Sequence, residues 1–200
     1  MSKTFTRSRV LRIFIFVILL IAGGIYILFT WTTPVTANID SYIYDLPFKK
    51  GTIHRVAQGY GGLFSHSHLA AIDFDMPVGT GVFAAREGVI FAYQDNFEEG
   101  GMSTKYKNKA NFIIIKHADG SFGCYWHLKK NGVIIKSGHV KKGQLIGLSG
   151  ATGYVLRPHL HFSVKKILNY DMNSFVRTKF RTTDGELLLE SWKAYTSRAN

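Results

Sequence analysis

From Phe48 onward the chain alternates short apolar runs with glycine-marked breaks. Thr52–Gln58, Ala70–Asp75, Gly81–Tyr93, Asn111–His117, Ser121–Leu128 and His159–Lys165 are rich in β-branched and aromatic residues, the signature of half-buried strands. Gly81–Tyr93 is long for one strand and is expected to break at Glu87-Gly88. Gly59, Gly61, Gly62, Gly79, Gly88, Gly120, Gly143 and Gly150 mark turns. Asp119-Gly120, between two strand-like runs, predicts a tight hairpin. No long amphipathic helix pattern occurs between residues 48 and 165, so the expected fold class is mainly β, an antiparallel sheet. The polar stretch Asp95–Lys109 predicts a mobile loop. The tail from Leu168 to Asn200 has weaker periodicity, with a short helix expected over Glu186–Ala194.

The N-terminal pattern is different. Ile13–Trp31 is a charge-free run of nineteen residues behind Lys3, Arg7, Arg9 and Arg12. As a helix it would be about 28 Å long, close to the hydrocarbon thickness of a bilayer. It is apolar on every side, which argues against a surface helix of a soluble domain. Tyr26 and Trp31 lie near its distal end, where interfacial aromatics are expected, and the basic residues before it favour a cytoplasmic N-terminus. One transmembrane helix is therefore expected, with everything after Trp31 extracytoplasmic. A cleaved signal peptide competes, since Val35-Thr36-Ala37 has small-residue character. Its apolar region would exceed the usual length of about 7–15 residues.

Charge refines the picture. The chain carries 25 Lys and Arg against 13 Asp and Glu, a formal net charge of +12. All the carboxylates and all but four of the basic residues follow Trp31, leaving that portion at about +8. A basic extracytoplasmic domain suits a polyanionic wall or anionic headgroups, and the topology argues against nucleic acid. Lys129, Lys130, Lys136, Lys141 and Lys142 offer a basic patch, although loop charges are usually only solvated. Cys124 is the one cysteine, so no internal disulfide and no thiolate metal cage can form.

Three segments carry candidate chemistry. Pro158-His159-Leu160-His161-Phe162 places two imidazoles on one strand face, with Leu160 and Phe162 on the other. Ile72-Asp73-Phe74-Asp75 does the same for two carboxylates. Phe64-Ser65-His66-Ser67-His68 and Tyr125-Trp126-His127-Leu128 add further imidazoles. Imidazoles with a carboxylate form the ligand set that suits zinc when three protein groups leave a fourth position open. Asp75 is either an orienting partner for the site or a solvent-facing carboxylate.

The ordered set of motifs resembles the lysostaphin-type zinc endopeptidases, which cut peptide bonds of bacterial peptidoglycan. It runs from Gln58-Gly59-Tyr60-Gly61-Gly62 through Asp73-Phe74-Asp75-Met76-Pro77-Val78-Gly79-Thr80 and Ala84-Ala85-Arg86-Glu87-Gly88-Val89. It continues through His117-Ala118-Asp119-Gly120, Tyr125-Trp126-His127-Leu128, Gly143-Gln144-Leu145-Ile146-Gly147 and Gly150-Ala151-Thr152-Gly153 to Pro158-His159-Leu160-His161-Phe162. The resemblance implies Asp73 and His161 as zinc ligands, with His66 or, alternatively, His68 as the third. It implies His127 and His159 as the non-ligand histidines that orient water and stabilise the oxyanion. One departure stands out. Tyr154-Val155-Leu156-Arg157 replaces the small residues usual before the proline, which predicts altered specificity.

These readings divide the chain into a basic cytoplasmic tail (1–12), an anchor (13–31), a linker (32–47), a zinc endopeptidase domain (48–166) and an extension of unassigned role (167–200). Peptidoglycan is the implied substrate, and a regulatory protein partner is compatible with the layout. The rivals are a non-catalytic wall-binding relative and a peptidase for protein substrates.

Overall fold

The computed structural model describes residues 18, 37–62, 65–66, 69–169 and 174–198. All of the Ile13–Trp31 run except Ile18 lies outside them, as does His68. No helix among the described residues is long and apolar enough to cross a membrane.

Sixteen strands form among the described residues. They begin with β1 (Ile39–Asp45), β2 (Ile53–Gln58), β3 (Ala71–Phe74), β4 (Gly81–Phe83), β5 (Gly88–Gln94) and β6 (Gly100–Gly101). Next come β7 (Phe112–Lys116), β8 (Phe122–Trp126), β9 (Leu128–Val133), β10 (His139–Val140) and β11 (Leu145–Ser149). The series ends with β12 (Gly153–Tyr154), β13 (Leu160–Lys165), β14 (Phe175–Thr182), β15 (Gly185–Leu187) and β16 (Ala194–Thr196). The main sheet runs β10-β5-β7-β8-β13-β3-β2-β16, with β14 also joined to β13 and carrying β1 and β15. Apart from the parallel β1–β14 pair, every pairing in it is antiparallel. A smaller antiparallel sheet, β4-β11-β9, contributes Val82, Val133 and Ile146 to the same core as Ile72, Phe74, Ile113, Tyr125 and Phe162.

The period-two pattern explains the central strands. On β13, Leu160, Phe162 and Val164 are buried in the core, while His161 and Lys165 emerge on the opposite face. The Asp119-Gly120 turn joins β7 to β8 as expected, with Gly120 at φ +85°, a conformation glycine adopts without a Cβ penalty. The expected break at Glu87-Gly88 separates β4 from β5.

Three expectations need correction. Residues 39–45, assigned to the linker, form β1 and pair with β14. Their few apolar positions look loop-like in isolation, but Tyr44 is fully buried against Phe162 and Phe180. Glu186–Ala194 is not a helix: β15 and a loop occupy it, and Trp192 sits at φ +70°, outside the right-handed helical region. The Asp95–Lys109 stretch is anchored: β6 pairs with β12, and Thr104–Tyr106 makes a 3₁₀ turn.

Candidate active site

The sheet presets two members of the site. His161 on β13 lies in register opposite Asp73 on β3, so both project from the same face. His161 Nδ1 is 2.9 Å from Asp73 Oδ1. The third member, His66, comes from a loop and is fully buried. Its Nδ1–H donates to the Gly59 carbonyl at 3.3 Å, which leaves the Nε2 lone pair facing the other two. That Nε2 stands 3.2 Å from His161 Nδ1 and 3.3 Å from Asp73 Oδ1.

This triangle fits a zinc ion. At bond lengths of about 2.0–2.2 Å, tetrahedral ligand atoms lie roughly 3.3–3.5 Å apart. Two edges are close to that size, and the third is shortened by the hydrogen bond from His161 to Asp73. His66, Asp73 and His161 are the one cluster of this kind found among the described residues. Burial works to raise the Asp73 pKa, but the hydrogen bonds and charges of His161 and His66 outweigh it and hold the carboxyl well below its usual range. Burial also lowers the His161 pKa, so the imidazole is neutral near pH 7. An ionised Asp73 beside a neutral His161 suits a metal cation, whose binding would displace the proton that His161 Nδ1 gives to the carboxylate.

His127 and His159 stand beside this cluster, their rings 4.7 Å apart. His127 Nδ1–H donates to the Thr152 carbonyl and His159 Nδ1–H to the Arg157 carbonyl, each at 2.8 Å. A carbonyl only accepts, so both rings carry their proton on Nδ1 and a lone pair on Nε2. His159 Nε2 lies 3.6 Å from Asp73 Oδ1. Burial, reinforced by His159 and His161, pushes the His127 pKa down to about 3. His127 also adopts φ +67°, which ends β8 and starts β9, where the sequence suggests one continuous strand. For a residue other than glycine this backbone region is unfavourable by roughly 1 kcal/mol or more, and such strain tends to gather at functional sites.

The chain belongs to peptidase family M23. The match covers residues 66–174, just over half of the chain. Peptidases of this family are zinc-dependent. Among curated proteins, peptidoglycan DD-endopeptidase ShyA of Vibrio cholerae is 37% identical over 93 residues, which cover 46% of this chain and 19% of that protein. Lysostaphin of Staphylococcus simulans is 35% identical over 131 residues, covering 64% of this chain and 23% of its own. The chain thus spans only about a fifth to a quarter of the length of these relatives. Among solved structures, the catalytic domain of the antimicrobial peptidase lysostaphin from Staphylococcus simulans aligns at 27% identity and a TM-score of 0.43. That alignment covers 63% of this chain and 87% of that one.

Several side chains to which the sequence reading gave no role support the site. Gln58 Nε2 donates to Ser65 Oγ at 2.8 Å and to Asp73 Oδ2 at 3.3 Å. Thr152 is locked by its hydroxyl, which donates to the Leu128 carbonyl and accepts from Asn111 N–H. Asp75 does not touch the histidine cluster. It bridges Arg55 at 2.7 Å and Arg157 at 3.0 Å, so its carboxylate anchors the residue whose carbonyl orients His159. The Tyr60 hydroxyl is committed away from the cluster, bonded to Thr178. His54 and His117 bond the carbonyls of Asp75 and Glu87, and Arg86 bonds Tyr44 and Asp119, all structural roles.

Proposed function

We propose that this chain is a zinc-dependent endopeptidase of bacterial peptidoglycan, in which His66, Asp73 and His161 hold the metal. The convergence of His66 Nε2, Asp73 Oδ1 and His161 Nδ1 carries the reading. When bound, zinc supplies a Lewis acid that polarises the scissile carbonyl and brings the pKa of water toward about 7. The protein supplies the proton handling. The Nε2 lone pairs of His127 and His159 accept hydrogen bonds from the attacking water and orient it. His127 resists charging in its buried setting, so it serves as an acceptor and as a neutral wall of the site. His159, with the Asp73 carboxylate nearby, is the better place to hold the proton and return it to the leaving amine.

The substrate class rests on the kinship with ShyA and lysostaphin and on the basic character of the portion after Trp31. The location rests on the Ile13–Trp31 run: a single-pass anchor with the catalytic domain on the periplasmic or cell-wall side. The test is to incubate the chain with purified peptidoglycan, with and without a zinc chelator, and to weigh the released peptides by mass spectrometry. Chelator-sensitive release restored by zinc is the expected result, and the masses identify the bond. A zinc-loaded protein that releases nothing would favour the wall-binding reading.

A further inference from the structure

The three proposed ligands are not held equally. Asp73 and His161 are set by strand register, whereas His66 depends on the loop that carries it. Ser65 and His66 are bonded to Gln58 and Gly59 in the Gln58–Gly62 turn, and the turn is tied to the C-terminal extension at two points. Gly59 N–H donates to Ser191 Oγ at 2.8 Å, while the carbonyl of the same Gly59 accepts from His66 Nδ1. The Tyr60 hydroxyl accepts from Thr178 N–H at 2.9 Å on β14. The fit is close: a Cβ on Gly59 would lie 3.2 Å from both N and Oγ of Ser191. Backbone hydrogen bonds hold the same segment in place, Val56 N–H donating to the Lys193 carbonyl and Trp192 N–H to the Val56 carbonyl. Ser191 lies beyond residue 174, outside the part of the chain that matches the family.

We propose that Ser191 is a positioning residue for the metal site, acting through Gly59 on His66. The inference rests on the zinc reading above. With two ligands already fixed by the sheet, the cost of closing the site falls on the third. Ser191 lowers that cost by fixing the Gly59 backbone at its N–H, one Cα away from the carbonyl that aims the imidazole and selects its tautomer. Outer partners of ligating histidines typically govern metal affinity by about 10–100-fold. Ser191 acts one bond further out, so the lower end applies.

The test is zinc affinity, measured by competition with a chromophoric chelator, for the whole chain carrying Ser191→Ala, Ser191→Thr or Gly59→Ala. Ser191→Ala should weaken zinc binding about tenfold, and Ser191→Thr, which keeps the hydroxyl, should restore it. The midpoint of thermal unfolding without metal should change little. Gly59→Ala, which pushes Ser191 away, should weaken zinc binding to a similar degree and serves if Ser191→Ala does not fold. Folded variants with wild-type affinity would overturn the proposal while leaving the zinc reading intact. So would a lower metal-free midpoint with unchanged affinity, the mark of a merely structural role. A wild-type chain that takes up no zinc would overturn the zinc reading itself, and the inference with it.

Discussion

His161 stands in register opposite Asp73 across the β13–β3 pairing, its Nδ1 2.9 Å from the carboxylate Oδ1. A sheet rung therefore sets the distance between two proposed ligands before any metal arrives. His161→Ala should remove both the zinc and the cleavage of peptidoglycan, as read by metal content and product release. His66→Ala should do the same, whereas His68→Ala should retain zinc, because the buried Nε2 of His66 completes the triangle. The reverse result would reassign the third ligand.

The two flanking histidines should behave differently from the ligands. His159→Ala should keep zinc and lower kcat by about 10²–10⁴, the usual worth of a positioned acid–base group. At position 127 the backbone lies at φ +67°, so Asn, which tolerates that region, is a cleaner test than Ala. His127→Asn should also keep zinc and lose rate. Loss of zinc from either variant would move that histidine into the ligand set.

Arg157 is clamped by Asp75, both partners being partly exposed. Such pairs contribute only about 0–1 kcal/mol, so Arg157→Gly should leave the unfolding free energy within about 1 kcal/mol of wild type. Its effect should fall on the cleavage pattern, since its carbonyl holds His159 and a glycine there loosens the backbone that presents it. An unchanged product distribution and rate would remove Arg157 as a specificity residue.

The metal-free protein should lose stability in acid. Burial lowers the pKa of His117, and burial with neighbouring histidines lowers that of His127 to about 3. Both titrate near 6.5 in an unfolded chain. Below about 6.5 the unfolded state binds protons that the folded state refuses, so folding weakens as pH falls, by up to roughly 1.4 kcal/mol per pH unit for His127 down to about pH 3, with His117 adding a loss of the same sign. Asp73, with its depressed pKa, adds a loss of the same sign below about pH 4. Thermal midpoints from pH 7 to 4 should slope downward, and a flat profile would contradict the buried neutral histidines.

Gly100→Ala should disturb the site from a distance. A Cβ there would lie 1.8 Å from the Ala151 carbonyl oxygen, on the strand pairing that leads to Thr152. Displacing Thr152 frees the His127 ring from its carbonyl partner. A reduced kcat with retained zinc is expected, and wild-type kinetics would show that the segment relaxes harmlessly.

Strands whose side chains alternate between core and site were legible because period two exposes them: Asp73 between Ile72 and Phe74, His161 between Leu160 and Phe162. The Asp119-Gly120 turn was legible from local backbone chemistry. His66 remained one of two alternatives because a loop ligand is placed by contacts distant in sequence, here with Gly59 and, through it, Ser191. The turn at His127 is hidden within an apolar run that reads as a strand. β1 and the strands after residue 174 were missed because their stability comes from pairing with distant partners, which no local pattern records.

Under the anchored reading proposed above, the pairing of β1 with β14 would also limit where the domain can work. With Ile39 fixed to the body of the domain, a membrane surface at Trp31 would leave only the seven residues 32–38 between the two. Fully extended, they reach about 25 Å. The domain would then work as a short-range tool, trimming the layer of wall nearest the lipid and leaving the outer mesh beyond its grasp.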